Sequence, residues 1–470
     1  MKTAGTSAGR SNGPHRLDPT ILREYDMRGI VGKTLGEDDA HAIGRAFGTI
    51  VRAAGGRRVA TGYDGRLSSP VLEEALAAGL AACGLTVLRV GLGPTPMLYY
   101  ASHALDADGA VMITGSHNPP DYNGFKMMLS GGPFYGEQIQ ELGHIAAKGD
   151  FAEGSGTVED RPLFDDYIAR LVGDFTDGRS LRVAWDAGNG AAGPATAALA
   201  AALPGDHTVL FADIDGTFPN HHPDPTLPET LESLRGAIEA NDCEIGIAFD
   251  GDGDRIGVLD GKGRILWGDQ LLMLLAEDLL KRRPGVTVIA DVKASQALFD
   301  RVAALGGVPL MWRTGHSLIK AKIAETGAPL AGEMSGHIFI ADGYYGFDDA
   351  LYAAVRLLGI LARSEVDLAT LRDGLPEFVN TPELRFDCAE ERKFGVVDTV
   401  KAYVAARGDE VSLIDGVRVR TADGWWLLRA SNTQAALVAR CEASDEAGLA
   451  RLKTALRTAL ESAGVDAPDF

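Results

Sequence analysis

"RVATGYDGRLSSPVLEEALAAGLAACGLTVLRVG", residues 58–91, runs from an apolar strand through an aspartate and a small polar loop into an alanine-rich helix and a second strand. Within it Val71, Leu72, Ala75, Leu76, Gly79, Leu80 and Cys83 follow helical spacing, which predicts one apolar stripe lying on a sheet. The same grammar returns in "RVAWDAGNGAAGPATAALAAAL" (182–203) and "TVIADVKASQALFDRVAALGGVPLMWRTG" (287–315). Each copy places an aspartate where the strand ends: Asp64, Asp186 and Asp291. Strand and helix alternating in this way predict three similar mixed α/β domains. After Asp373-Gly374-Leu375-Pro376 the grammar changes. "TPELRFDC" (381–388), a helix near 396–406 and an alternating stretch over 412–443 predict an antiparallel α+β domain.

The expected division is a disordered tail over 1–16, then domains over 17–160, 161–264, 265–376 and 377–470. A chain of 470 residues accommodates about three or four domains of ordinary size. With 45 Lys plus Arg against 65 Asp plus Glu, the formal net charge is -20, which argues against nucleic acid or an anionic membrane as partner. An anionic ligand therefore needs local cations. The cysteines Cys83, Cys243, Cys388 and Cys441 lie far apart without paired ligand spacing, which argues against a disulfide framework and a zinc site. A cytoplasmic location is expected. The polar start "MKTAGTSAGRSNGPHR" lacks the apolar segment of a secretory signal, and no later stretch supplies the roughly 18 apolar residues of a membrane span. No obligate protein partner is evident.

Four loops interrupt this framework. "GAVMITGSHNPPDYNGFKMML" (109–129) predicts strands over 110–113 and 124–129 joined by an Asn-Pro-Pro turn, so Ser116 stands at a loop tip as a turn residue or a nucleophile. "IGIAFDGDGDRIGVLD" (245–260) crowds Asp250, Asp252 and Asp254 between two strands, where carboxylates repel one another unless a cation sits among them. The calcium-hand loop is excluded, because Arg255 and Gly261 occupy the places of its turn glycine and closing glutamate. A hard cation with few protein ligands, Mg²⁺, fits better. "AGEMSGHIFI" (331–340) offers Glu333, Ser335 and His337 to sugar hydroxyls, and "WWLLRASNTQAALV" (425–438) offers Arg429, Ser431, Asn432 and Thr433 to a phosphate. Each of the last two loops also reads as an ordinary polar turn.

Taken in order, "TGSHNP", "DGDGDR", "GEMSGH" and "RASNT" resemble the phosphoserine, metal, sugar and phosphate loops of the α-D-phosphohexomutase family, in its bacterial phosphomannomutase/phosphoglucomutase branch. The resemblance runs from about Leu17 to the C-terminus. It implies four domains around a central cleft. It also implies that Ser116 carries the phosphoryl group and that a phosphoserine oxygen joins Asp250, Asp252 and Asp254 on Mg²⁺. Tyr25 and Arg28 in "REYDMRGI", Lys126 in "NGFK", Arg255, Lys293 in "DVK" and His316 in "RTGHS" match the family pattern as well.

By resemblance Arg28, Lys126, Arg255 and His337 serve catalysis, with Lys126 and His337 the candidates for general base and acid. Tyr25, Lys293, His316, Glu333, Ser335 and the phosphate loop would bind substrate. The implied reaction interconverts hexose 1- and 6-phosphates of glucose and mannose through glucose 1,6-bisphosphate or its epimer. Gly115, where the family commonly has alanine, predicts a more permissive serine loop, and Ala435, where proline is common, a less rigid phosphate loop. Phosphoglucosamine mutase and strict phosphoglucomutase are the near alternatives. A non-catalytic sugar-phosphate binder and an aspartate-nucleophile phosphatase are the remote ones, the latter suggested by Asp213 in "VLFADIDGTF" (209–218).

Overall fold

A computed structural model describes residues 13–175, 178–432 and 434–466. In the first sheet the spatial order is Met27–Ile30, Tyr122–Leu129, Gly109–Ile113, Arg58–Tyr63, Thr86–Leu92 and Thr157–Asp160, with the short Gly132–Phe134 beside Tyr122–Leu129. Arg58–Tyr63 runs parallel to both neighbours, whereas Tyr122–Leu129 returns antiparallel to Gly109–Ile113. The turn around Pro119 and Pro120 is too short for a parallel crossover, so the chain has to double back.

The second and third sheets repeat this plan. Leu181–Asp186 lies parallel between Gly205–Leu210 and Ile245–Phe249, and the last of these doubles back into Ile256–Asp260. Thr287–Asp291 lies parallel between Val308–Trp312 and Leu330–Gly332, which doubles back into Ile338–Ile340. Each repeat therefore ends in an antiparallel hairpin, and the serine, metal and sugar loops occupy equivalent hairpin tips. The final segment is an antiparallel sheet with helices Lys393–Arg407 and Glu446–Ser462 packed into its core.

Helix Ser69–Ala82 packs as its pattern dictates, with Leu72, Ala75, Leu76, Gly79 and Leu80 buried together with Cys83. Val71 departs from the expected stripe and is exposed, because in the first turn of the helix it falls at the edge of the buried face, on the same side as the exposed Glu74 and Ala78. The helix meets Glu37–Ala53 so closely that a Cβ on Gly79 would stand 2.3 Å from the carbonyl oxygen of His41. The second and third domains share one core, in which Trp185, Phe249, Leu272, Leu351 and Leu358 belong to a single cluster.

Two boundaries differ from expectation. Ile265–Leu266 pairs with Ile256–Asp260, so the second sheet extends past residue 264. Residues 13–16 are docked rather than free, because His15 N donates to Ala146 O at 2.8 Å and its Nε2 lies 2.7 Å from Asp39 Oδ1. The rest of the expected tail, residues 1–12, lies outside the described residues. Among the described residues no helix is long and apolar enough to cross a membrane.

Candidate active site

Ser116 is buried at the tip of the first hairpin with a left-handed φ of 49°, a conformation that costs energy for any residue with a Cβ. Neighbouring polar groups hold it there. Ser116 N donates to Thr114 Oγ1 at 2.8 Å, while Thr114 Oγ1 and Gly115 N donate to Asp64 Oδ2 at 2.8 and 3.0 Å. Arg28 donates to the carbonyl of Gly115. The hydroxyl of Ser116 then reaches across to the second domain and donates to Asp250 Oδ2 at 2.8 Å.

Asp250, Asp252 and Asp254 are fully buried, and their carboxylate oxygens lie within 4.8 Å of one another. Gly253, at φ 74°, supplies the turn that folds the loop back on itself. Burial and the neighbouring carboxylates push Asp250 well above its ordinary range and raise Asp254. At Asp252 burial is outweighed by Lys126, whose Nζ lies 2.7 Å from Asp252 Oδ2 and also bonds Asp254, so this carboxyl is driven down. Lys126 is itself held above its ordinary range, the two aspartates overcoming its burial. Among the described residues Asp252 Oδ1 and Asp254 Oδ1 are buried without hydrogen-bond partners. Unsatisfied carboxylate oxygens beside a serine hydroxyl are the donor set of a hard oxygen-seeking cation, and the residues fit one.

Arg255 Nε donates to His337 Nε2 at 3.0 Å, which makes Nε2 the acceptor and assigns the ring proton to Nδ1. That nitrogen faces Asp348 Oδ2 at 3.0 Å and Asp254 Oδ1 at 3.6 Å. Asp254, His337 and Asp348 approach closely enough to hold a metal, but a protonated Nδ1 has no lone pair to offer. The cluster therefore orients an imidazole. Lys320 Nζ secures Asp348 at 2.9 Å, and His316 stacks on His337 with centroids 5.5 Å apart. Burial, followed by Lys320, pushes His316 well below its ordinary range, so its ring is neutral near pH 7.

A second group forms around the last domain. Arg429 Nε donates to Asp415 Oδ2 at 2.9 Å, while its buried Nη2 has no partner among the described residues. Asn432 donates to the hydroxyl of Tyr25, which donates to Thr314 O at 2.6 Å. Burial pushes the Tyr25 phenol up to about 12. Glu333 Oε1 accepts from Gly315 N at 2.6 Å, Lys293 Nζ lies 3.0 Å from Glu383 Oε2, Ser431 is buried and Ser335 half-buried. Thr433 lies outside the described residues. Tyr25 and His316, 6.2 Å apart, link this group to the serine and metal loops.

Sequence reasoning missed Arg66, Asp348, Lys320 and Lys393, none of which stands in one of the four loops. Lys393 is buried and donates to Ser431 O at 2.6 Å and Gln434 O at 3.1 Å, anchoring the phosphate loop that Ala435 was expected to loosen. At the serine loop the expectation from Gly115 is also corrected: the missing Cβ makes room for Arg66, whose Cζ would lie 2.3 Å from it. Asp213 is exposed in a loop, and the chain after it continues through turns to the short 3-10 helix Pro228–Leu231 rather than into a helix at the strand end. The aspartate-nucleophile alternative therefore falls.

Repeated hairpins that bring a serine, three carboxylates, an oriented imidazole and a set of cations to one cleft define a phosphoryl-transfer enzyme of four domains. Family models described as phosphoglucomutase/phosphomannomutase match in sequence: alpha/beta/alpha domain I over 19–153, domain II over 165–263, domain III over 267–378 and the C-terminal domain over 383–459. The chain is similar to a phosphomannomutase/phosphoglucomutase of Pseudomonas putida, 47% identical over 95% of this chain and 96% of the relative. A phosphoglucomutase of Neisseria gonorrhoeae is 46% identical over 94% of this chain and 97% of its own. A crystal structure of a phosphoglucomutase/phosphomannomutase family protein from Burkholderia thailandensis superposes with a TM-score of 0.91 at 49% identity, covering 96% of this chain and 99% of its own. The chain belongs to the phosphoglucomutase/phosphomannomutase family, the bacterial branch of the α-D-phosphohexomutases.

Proposed function

We propose that this chain interconverts the 1- and 6-phosphates of glucose and mannose, with Ser116 as phosphoryl carrier. The chain is a hexose phosphate mutase, an enzyme that moves a phosphoryl group within its substrate. The observation that carries the finer reading is the 2.8 Å bond from Ser116 Oγ to Asp250, beside two carboxylates with unsatisfied oxygens. Mg²⁺ on Asp250, Asp252 and Asp254 would polarise phosphoryl oxygens and offset their charge.

The remaining chemistry falls to the chain. A hexose 1-phosphate docks its phosphate on Arg429, Ser431, Asn432 and Thr433, and Glu333 and Ser335 take sugar hydroxyls. Lys293 and Tyr25 border this site, and His316 backs His337. The free O6 attacks the phosphorus on Ser116, so an O6–P bond forms as the Oγ–P bond breaks, and the O6 proton passes to a general base. Lys126 and His337 are the candidates for that transfer and its reverse, while Arg28 and Arg255 offset charge as the group moves. The resulting glucose 1,6-bisphosphate, or its mannose epimer, turns end for end before the serine takes back the other phosphate.

In this reading 17–160 is the phosphoserine domain, 161–266 the metal-binding domain, 267–376 the sugar-binding domain and 377–470 the phosphate-binding domain. The four free cysteines fit a cytoplasmic enzyme. The 47% relative is named for both sugars and the 46% relative for glucose, so turnover decides between dual and strict specificity. The test is isomerisation of glucose 1-phosphate and mannose 1-phosphate by the purified protein, with glucosamine 1-phosphate as control. Turnover of both hexoses is expected. Turnover of glucose alone, or of glucosamine above both, transfers the chain to the corresponding specificity, and no turnover leaves a binder.

A further inference from the structure

We propose that Arg66 is a positioning residue for phosphoryl transfer, setting the backbone of the serine loop while Phe218 of the second domain covers its guanidinium. The proposal rests on Ser116 being the phosphoryl carrier. Arg66 is almost fully buried and spends its donors on the loop: Nη2 donates to Ser116 O at 2.7 Å and Asn118 O at 2.6 Å, and Nη1 to Tyr122 O at 3.0 Å and to Pro119 O. Its Nε lies 3.2 Å from Asp64 Oδ2, the same oxygen that accepts from Thr114 and Gly115. One Asp64–Arg66 pair thereby grips the chain from 114 to 122 on both sides of the nucleophile. A planar group with five fixed donors suits this task, whereas a lysine would present a single point of charge.

The left-handed φ of 49° at Ser116 is unfavourable on its own and persists only if its surroundings impose it. Arg66 draws the Ser116 carbonyl to one side, and Gly251 of the metal loop closes on it from another, a Cβ there falling 2.4 Å from the same oxygen. Together they turn the serine hydroxyl toward Asp250.

The segment "DIDGTF" (213–218), which catalysis does not use, acquires a role here. Phe218 places its ring 5.2 Å from Arg66 Cζ. Gly216 packs so tightly that a Cβ would stand 2.6 Å from Gly65 O, and a Cβ on Gly65 would meet Ile214 at 2.2 Å. The metal domain thus braces the residue that shapes the serine loop, fixing nucleophile and carboxylates to one another.

Among the described residues Arg66 bonds to neither the sugar loop nor the phosphate loop, so its loss should damage the transfer step and spare binding. In the full-length chain, Arg66→Lys and Arg66→Ala should lower kcat for glucose 1-phosphate by roughly 100-fold, the scale of a misplacement near 1 Å, with KM within about two-fold of wild type. Added methylguanidine should restore part of the kcat of Arg66→Ala. A folded Arg66→Ala with wild-type kcat, or with raised KM and unchanged kcat, would overturn the proposal. Should both variants fail to fold, Phe218→Ala carries the test, since it keeps Arg66 while removing the ring that covers its guanidinium. A selective fall in kcat supports the positioning role, and unchanged kcat rejects it. Wild-type protein without phosphate on Ser116 would instead sink the carrier reading itself.

Discussion

At the serine end of the cleft a guanidinium donates to Ser116, Asn118, Pro119 and Tyr122 carbonyls, and a buried aspartate holds the residues just before the nucleophile. At the opposite end the ammonium of Lys393, paired with Glu390, donates to the Ser431 and Gln434 carbonyls, while Asn432 of the phosphate loop reaches Tyr25 and Asp415, the partner of Arg429, accepts from Thr314 N. The first arrangement fixes one oxygen against three carboxylates. The second presents a buried guanidinium nitrogen, without a partner among the described residues, on a domain with its own core. A mutase has this asymmetry of need: the transferring group must not move, while the gripping site must accept either phosphate of a bisphosphate.

The largest effect should come from disturbing the fixed end. Asp252→Asn removes the carboxylate that Lys126 and Thr95 hold ionised, and several kcal/mol of charge stabilisation go with the metal, so kcat/KM should fall by roughly 100-fold or more. Excess chelator should do the same to wild type, with recovery on adding Mg²⁺. Chelator-insensitive turnover would remove the metal from the account. At the gripping end Arg429→Ala loses a charge-assisted contact of about 1.5–3 kcal/mol, so efficiency should drop roughly 10- to 150-fold. On the proposed reading one loop serves both ends of either sugar, so glucose and mannose substrates should suffer alike. A loss confined to one sugar breaks the shared-site idea.

The smallest effect concerns how the last domain is attached. Burial alone would raise Glu383, but Lys293 and Arg385 outweigh it and hold the carboxyl at about 2. Because the folded value lies below the ordinary 4.5, the pair's contribution is complete above pH 4.5 and is lost as pH falls from there through about 2. Glu383→Gln should lower the melting temperature at pH 7 by about 2–4 °C, and the gap to wild type should close across that acidic window. A gap that is constant with pH would show that charge is not what joins Glu383 to Lys293.

Much of this was legible in the sequence because it is written locally. The strand–aspartate–loop–helix grammar of 58–91 reports a period, and the period fixes which face is buried, although it could not show that Val71 falls outside the stripe. The hairpin loops are equally local, since Asp250, Asp252 and Asp254 meet within five residues. What escaped notice are the residues acting across the chain. Lys320 joins Tyr99 and Asp348, 221 and 28 positions away, and Lys393 meets Ser431 across 38. Arg66 binds backbone carbonyls, which every residue possesses, so its targets leave no mark on the side-chain pattern. Gly115 misled for the same reason: glycine signals freedom until the group that fills the space is known.

The central claim is that Ser116 alone carries the phosphoryl group. A phosphoserine is an ester, stable in acid and toward hydroxylamine, whereas an acyl phosphate on an aspartate is cleaved by hydroxylamine. The decisive measurement is to incubate the protein with glucose 1,6-bisphosphate labelled in its phosphates, digest it, and locate the label before and after hydroxylamine. The account predicts one acid-stable, hydroxylamine-resistant phosphate on the peptide containing "TGSHNPP", absent from Ser116→Ala together with nearly all turnover. Label that persists in Ser116→Ala, or that hydroxylamine removes from wild type, would contradict it.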